Sequence, residues 1–169
     1  DINEPKGYVI VDVGAGTTEV AVVSLGGVVV SKSVRSAGDA LDNDIIQLIK
    51  KKYNVEIAKS TAEKAKIKLG AAMVGLTTNV VELKGKDMYS EVPKGVAISA
   101  NEINSAMRDD INFILEAVRC VLEETPPELA SDLIETGIVL TGGSSNMRGL
   151  GKLIKNATGI NVYQAEDPV

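Results

Sequence analysis

The 169-residue chain has no histidine, no tryptophan and a single cysteine, Cys120. Without histidine there is no histidine-ligated zinc site and no Ser-His-Asp or Cys-His catalysis. With one cysteine no disulfide can close within the chain, and a reducing, cytoplasmic setting is expected. Aromatic residues are also scarce: Phe113 alone and four tyrosines. The core must therefore come from Val, Ile, Leu and Ala, which suits helices packed on a sheet. Positive charge is in deficit, with 18 Lys and Arg against 23 Asp and Glu, a net charge of −5. That argues against a nucleic-acid partner, whose phosphates select basic surfaces. The run Lys50, Lys51, Lys52 reads as a solvated helix end. No apolar run approaches the ~18 residues of a spanning helix, and no signal-peptide pattern opens the chain. Asp1 and the closing AEDPV both read as cut ends, so a fragment or excised domain is expected.

What is present is valine-rich alternation followed by helical periodicity. YVIVDV (8–13), EVAVVSL (19–25) and VVVSKSVR (28–35) read as strands, the last two joined through Gly26-Gly27. In AGDALDNDIIQLIKKKY, the spacing of Leu41, Ile45, Leu48 and Ile49 predicts a helix of about three turns. In STAEKAKIKLG, Ser60 and Glu63 have capping-box spacing and Gly70 marks a stop. Strand-like runs follow near 80–84 and 96–99. Ser99 and Glu102 repeat the capping box ahead of a long helix with Ile103, Met107, Ile111, Ile114, Leu115, Val118 and Leu122 on one face. The prolines of ETPPE end it, and Thr125 is placed to cap a short helix with Pro126 first and Glu128 third. GIVLTGG (137–143) reads as a buried strand, MRGLGKLIKNATG as a helix stopped by Gly159, and INVYQAE (160–166) as a last strand. Three meandering strands followed by strand–helix crossovers predict an α/β fold, a mixed sheet covered by helices. Helices 43–53 and 60–70 with the 78–99 strands form a candidate small subdomain.

Three stretches carry candidate chemistry. In VDVGAGTTEV, Asp12 precedes Gly14, Ala15, Gly16, Thr17 and Thr18. Such a loop is either an ordinary turn or an anion-binding concavity of backbone amides, with threonine hydroxyls as added donors. Asp12 at the strand end would suit a hydrated Mg²⁺ that neutralises phosphate charge. In LTGGSSNMRGL, a strand meets Gly142-Gly143 with a helix expected two or three residues later. That is either a tight turn or a close approach to a ring or phosphate beside a helix N-terminus. In TAEKAKIKLG, Glu63 and Lys66 share a helix face. They could grip ribose hydroxyls, or be a solvated ion pair with Glu63 as cap.

Taken together and in order, these stretches resemble the actin-like ATPase superfamily. Within it the chain is similar to the MreB family of bacterial actins. The likeness is carried by TTEVAVVSLGGVV, SVRSAGDALDNDII, TAEKAKIKLG, PPELASDLIETGIVLTGG and the closing AEDP. It covers essentially the whole chain. It implies a ribonuclease-H-like fold with a mixed five-stranded sheet, flanking helices and a small inserted α+β subdomain. The core would be 1–41 and 101–169, the insert 42–100. It implies one lobe of a two-lobed, filament-forming, ATP-binding cytoskeletal protein, self-associating in its full length. The first phosphate loop, the water-positioning residue and the membrane-binding segment would belong to the other lobe, so this half alone should not turn over ATP. Carried over by residue, Asp12 would hold Mg²⁺ through water, and Gly14, Ala15, Gly16, Thr17 and Thr18 would meet the β- and γ-phosphates of ATP or ADP. Glu63 and Lys66 would meet the ribose. Gly142, Gly143 and Ser144 would line the adenine and α-phosphate side, with Met147 packing nearby. Ala15 and Ser144 stand where this family usually has glycine, and alanine at a positive φ costs about 1 kcal/mol or more. Two other classes are an actin-fold chaperone or small-molecule kinase, which would need a substrate-binding insert, and an interaction module with a vestigial loop.

Overall fold

The computed structural model describes residues 6–70 and 79–165. Alternating valines set the first sheet. β1 (Tyr8–Val13), β2 (Thr18–Ser24) and β3 (Gly27–Val34) form an antiparallel meander. Val9, Val11 and Val13 of β1 and Val20 and Val22 of β2 are buried on one face. The β2–β3 turn is Leu25-Gly26, one residue earlier than Gly26-Gly27, with φ of 53° and 74°. Two positive φ values match the twist of a two-residue hairpin. β7 (Ile138–Thr141) joins β1 in parallel and β8 (Val162–Gln164) joins β7 in parallel, completing a five-stranded sheet in the order β3-β2-β1-β7-β8. β8 is shorter than the 160–166 expected, and Glu166 to Val169 lie outside the described residues.

A second sheet, β4-β5-β6, is built from β4 (Val55–Glu56), β5 (Val80–Asp87) and β6 (Pro93–Ser99). β4 has two residues and no periodicity to announce it. Beside this sheet run α1 (Gly38–Tyr53) and α2 (Lys59–Leu69). α1 has 16 residues, longer than the three turns expected, and closes on Asn54 at φ 56°.

α3 (Ala100–Glu124) is the shared spine. Its first half packs Ile103, Met107 and Ile111 with Leu41, Ile45, Ile49 and Ile98 in one apolar cluster. Its second half packs Ile114, Val118 and Val121 with the β1 and β2 valines in another. α4 (Pro127–Thr136) and α5 (Leu150–Thr158) complete the fold, α5 closing on Gly159 at φ 76°.

The Ser99–Glu102 capping box forms as predicted. Glu102 does more: its other carboxylate oxygen accepts from Lys52 Nζ at 2.7 Å and Tyr53 Oη at 2.6 Å. Burial opposes its ionisation, but these donors and Ser99 outweigh burial and hold the Glu102 carboxyl at about 2. The other two caps differ from expectation. α2 starts at Lys59 after Ala58, so Ser60 lies inside the helix and caps nothing. α4 is preceded by Pro126, with Pro127 in its first turn, and the Thr125 hydroxyl donates back to the Val121 carbonyl at 2.7 Å.

α1 also meets α3 through like charges. Ser36 Oγ donates to Asp110 at 2.7 Å, and Asp44 lies against the same carboxylate. Burial, then the hydrogen bond and charge of Asp110, then the charge of Asp109, push the Asp44 carboxyl up to about 8.

Candidate functional site

β1 delivers the chain to a tight turn in which Gly14 N–H donates to the Thr17 carbonyl at 3.0 Å. Neither Ala15 nor the flanking Gly14 and Gly16 has a positive φ. The left-handed strain expected of Ala15 is therefore absent, because the turn does not use that conformation. The loop's carbonyls face the start of α1, where Gly14 O accepts from Gly38 N–H at 3.0 Å and Ala15 O from Asp39 N–H at 2.7 Å. These bonds satisfy orphan donors of a helix that has no side-chain cap. Among the described residues no backbone acceptor meets the amides of Ala15, Gly16 and Thr17. A run of free amides in an exposed turn suits an anion. Thr17 is exposed, whereas Thr18 is fully buried and its hydroxyl donates to Ser36 O at 2.7 Å. The hydroxyl role read for Thr18 fails for that reason, and only its backbone borders the loop.

After β7, Gly142 takes φ 98° with its α-carbon against Asp12 and the Val13 carbonyl. A methyl group there would strike both. Ser144 N–H donates to Val13 O at 2.9 Å, and Ser145 Oγ donates to Gly142 O at 2.6 Å. Gln164 Nε2 donates to that same Oγ at 2.7 Å, tying the turn to β8. Gly38 in turn sits against Ser144 Oγ and Gly14 O. The helix expected just after the glycine pair starts only at Leu150, behind an irregular turn that ends on Gly149 at φ 79°. The N-terminus of α5 therefore does not adjoin Gly142-Gly143, and the helix start beside this turn is that of α1.

α2 faces this turn across a cleft of about 160 Å³, lined on its side by Glu63, Lys66 and Ile67 and opposite by Gly143, Ser144 and Met147. Glu63 is exposed and does not pair with Lys66. Instead the Lys66 ammonium donates to Gly38 O at 3.2 Å and lies 2.8 Å from Asp42 Oδ1. The side chains of this pair are 12% and 4% exposed. The ammonium thus pairs with the Asp42 carboxylate while donating to the Gly38 carbonyl. Arg148 closes one end of the cleft by donating to Lys68 O at 2.8 Å.

The structure thus gathers Glu63, Lys66, Gly143, Ser144 and Met147 around one cleft. It sets Gly142, Asp12 and the 14–17 loop beside that cleft through Gly38 and Ser144. Sequence reasoning missed Gly38, Asp42, Asn146 and Arg148. The glycine that opens α1 was a usable signal, because a loop can approach a helix start closely only there. Asp42 gave none, lying 24 residues before its partner. Asp12 is an exposed carboxylate opposite Glu19 of β2, and the described residues contain no group of three His, Cys, Asp or Glu able to hold a metal. This donor set fits a hydrated cation brought in with phosphates rather than a directly ligated one.

The family profile described as MreB/Mbl protein matches residues 1–169. The chain is 44% identical over 168 residues to the cell shape-determining protein MreB of Escherichia coli strain K12, covering 99% of this chain and 48% of that protein. Its fold superposes with a TM-score of 0.93 on MreB 5 of Spiroplasma citri bound to AMPPNP, at 35% identity, covering 99% of this chain and 50% of that one. For the same protein bound to ADP the score is 0.94, again at 35% identity, covering 99% of this chain and 51% of that one. The chain spans about half the length of the curated relatives it matches. Matched from end to end by the profile and sharing the actin-like fold of these structures, it belongs to the MreB/Mbl family.

Proposed function

We propose that this chain is the nucleotide-binding half of an MreB-like, ATP-dependent filament protein acting in cell shape or intracellular organisation in the bacterial cytoplasm. One observation carries the reading. Three stretches far apart in sequence meet at the Gly38–Ser144 contact, beside a cleft with the exposed carboxylate of Glu63 on its wall. The amides of Ala15, Gly16 and Thr17 would receive the β- and γ-phosphates of ATP or ADP, with Gly14 and the Thr18 backbone fixing the turn. Glu63 would accept from ribose hydroxyls. Lys66, held by Asp42, would act there as a fixed charge. Gly142, Gly143 and Ser144 would border the α-phosphate and base, with Met147 packing on the base. Mg²⁺, when bound, neutralises phosphate charge, and Asp12 would hold its water ligands.

The two apolar clusters support a division into a core of 1–41 and 101–169 and an insert of 42–100. A second lobe would supply the remaining phosphate contacts and any membrane contact, and self-association would run through the two-lobed protein. Among the described residues no helix is long and apolar enough to cross a membrane. The test is isothermal titration of Mg-ATP into a protein carrying this chain together with the other half of its relatives' length. Saturable binding that weakens at least tenfold in Glu63→Ala is expected. Absence of binding overturns the reading.

A further inference from the structure

α2 has a second side. Lys64 and Lys68, one turn apart and both exposed, border an open groove of about 290 Å³ that is floored by Ala65 and Leu83 and reaches Lys84 of β5. β5 pairs with β6 from Val80 to Lys86, but with β4 only at Lys86 and Asp87. Among the described residues the rest of its outer edge carries no strand. The direction of the free groups follows from two bonds. Asp87 N–H donates to Val92 O on the β6 side, and Met88 N–H donates to Asn54 O on the β4 side. Alternation along the strand then turns the main-chain N–H and C=O of Glu82 and Lys84 to the open edge. No other partner meets them among the described residues. An unpaired edge beside a groove is a template for an added strand.

Charge selects the occupant. Lys52, Lys59, Lys66 and Lys94 are all in ion pairs, whereas Lys64, Lys68 and Lys84 are in none among the described residues. The Glu82 carboxylate lies against Gly95 of β6, directed away from the edge. Three unneutralised lysines thus converge on one groove of a chain whose net charge is −5. The groove has no aromatic side chain on which a base could stack. A small anion would leave the strand edge unused.

We propose that the groove between α2 and β5 binds an extended acidic peptide segment of a partner protein. The segment adds to β5 as an edge strand, bonded to the main chain of Glu82 and Lys84, with its carboxylates facing Lys64, Lys68 and Lys84. The free edge accommodates about four residues of such a segment.

The test uses fluorescence anisotropy on the 169-residue chain with a labelled decapeptide of alternating Thr and Glu. Saturable binding is expected, with at least tenfold loss in Lys64→Glu/Lys68→Glu and in a peptide N-methylated at alternate amides. Hydrogen exchange at Glu82 and Lys84 should slow on binding. If the double variant fails to fold, the single Lys84→Gln variant should weaken binding severalfold with an unchanged thermal midpoint. Absence of saturation, equal binding of an alternating Thr and Lys peptide, or full binding of the N-methylated peptide overturns the proposal. Displacement of the peptide by oligo-dT or by phosphatidylserine vesicles that need the same lysines also overturns it, assigning the groove to a polyanion.

Discussion

The two sides of α2 carry lysines in opposite circumstances. On one side Lys66 is nearly buried, tied to Asp42 and to the carbonyl of Gly38. On the other, Lys64 and Lys68 stand in solvent without an ion pair among the described residues. The same residue type is a structural strut in one case and a loose charge in the other. What separates them is distance from the Gly38–Ser144 contact, where three segments are packed too closely for any side chain to remain free.

The sharpest way to break this contrast is Lys66→Met. It strands Asp42 as a buried, unpaired charge and should cost about 3–5 kcal/mol in urea unfolding. Lys64→Met should change stability by about 0.5 kcal/mol or less. If the two variants behaved alike, the strut would be an ordinary surface pair.

Gly142→Ala comes next. A methyl at φ 98° meets Asp12 and the Val13 carbonyl, and strain plus crowding should remove about 3 kcal/mol. Gly16→Ala, with nothing within 4 Å of the added carbon, should cost little in thermal denaturation.

Asp44 extends the comparison to α1, where it lies two residues from Asp42 but meets an aspartate rather than a lysine. Its folded value of about 8 lies above its ordinary 3.8, so the folded state holds the proton more tightly. That contribution to stability is full below pH 4 and is lost as pH rises through about 8. Asp44→Asn should therefore stabilise the chain at pH 8 and flatten the decline between pH 4 and 8. The group is part-buried, and screening through its exposed part reduces the gain to about 1–2 kcal/mol. Urea titrations at a series of pH values provide the check. The smallest effect concerns the caps. Ser99→Ala should cost about 1 kcal/mol, and Ser60→Ala about 0.3 kcal/mol or less.

That last pair shows where the sequence was legible. Ser99-Glu102 and Ser60-Glu63 have the same spacing, yet only the first is a cap. In the second, the Ala58 carbonyl accepts from Thr61 and Ala62 N–H, so the helix begins before the serine. Valine alternation and the face of α3 were readable because each depends on neighbours in the chain. The Lys66–Asp42 pair, the two-residue β4 and the delayed start of α5 depend on segments distant in sequence, and local periodicity holds no trace of them. Ala15 shows the same limit: its cost followed from a conformation that the actual turn does not adopt.

Gly38 has a mechanical consequence. Its amide is held by the Gly14 carbonyl, its own carbonyl by Lys66, and Ser144 fills the space a β-carbon would take. It is thus the fulcrum of α1, a rod about 24 Å long whose far end is anchored by Lys52 and Tyr53 to Glu102. A tilt of about 5° at that fulcrum sweeps the far end through about 2 Å. The 14–17 loop and the start of the α3 spine are therefore tied to opposite ends of one helix.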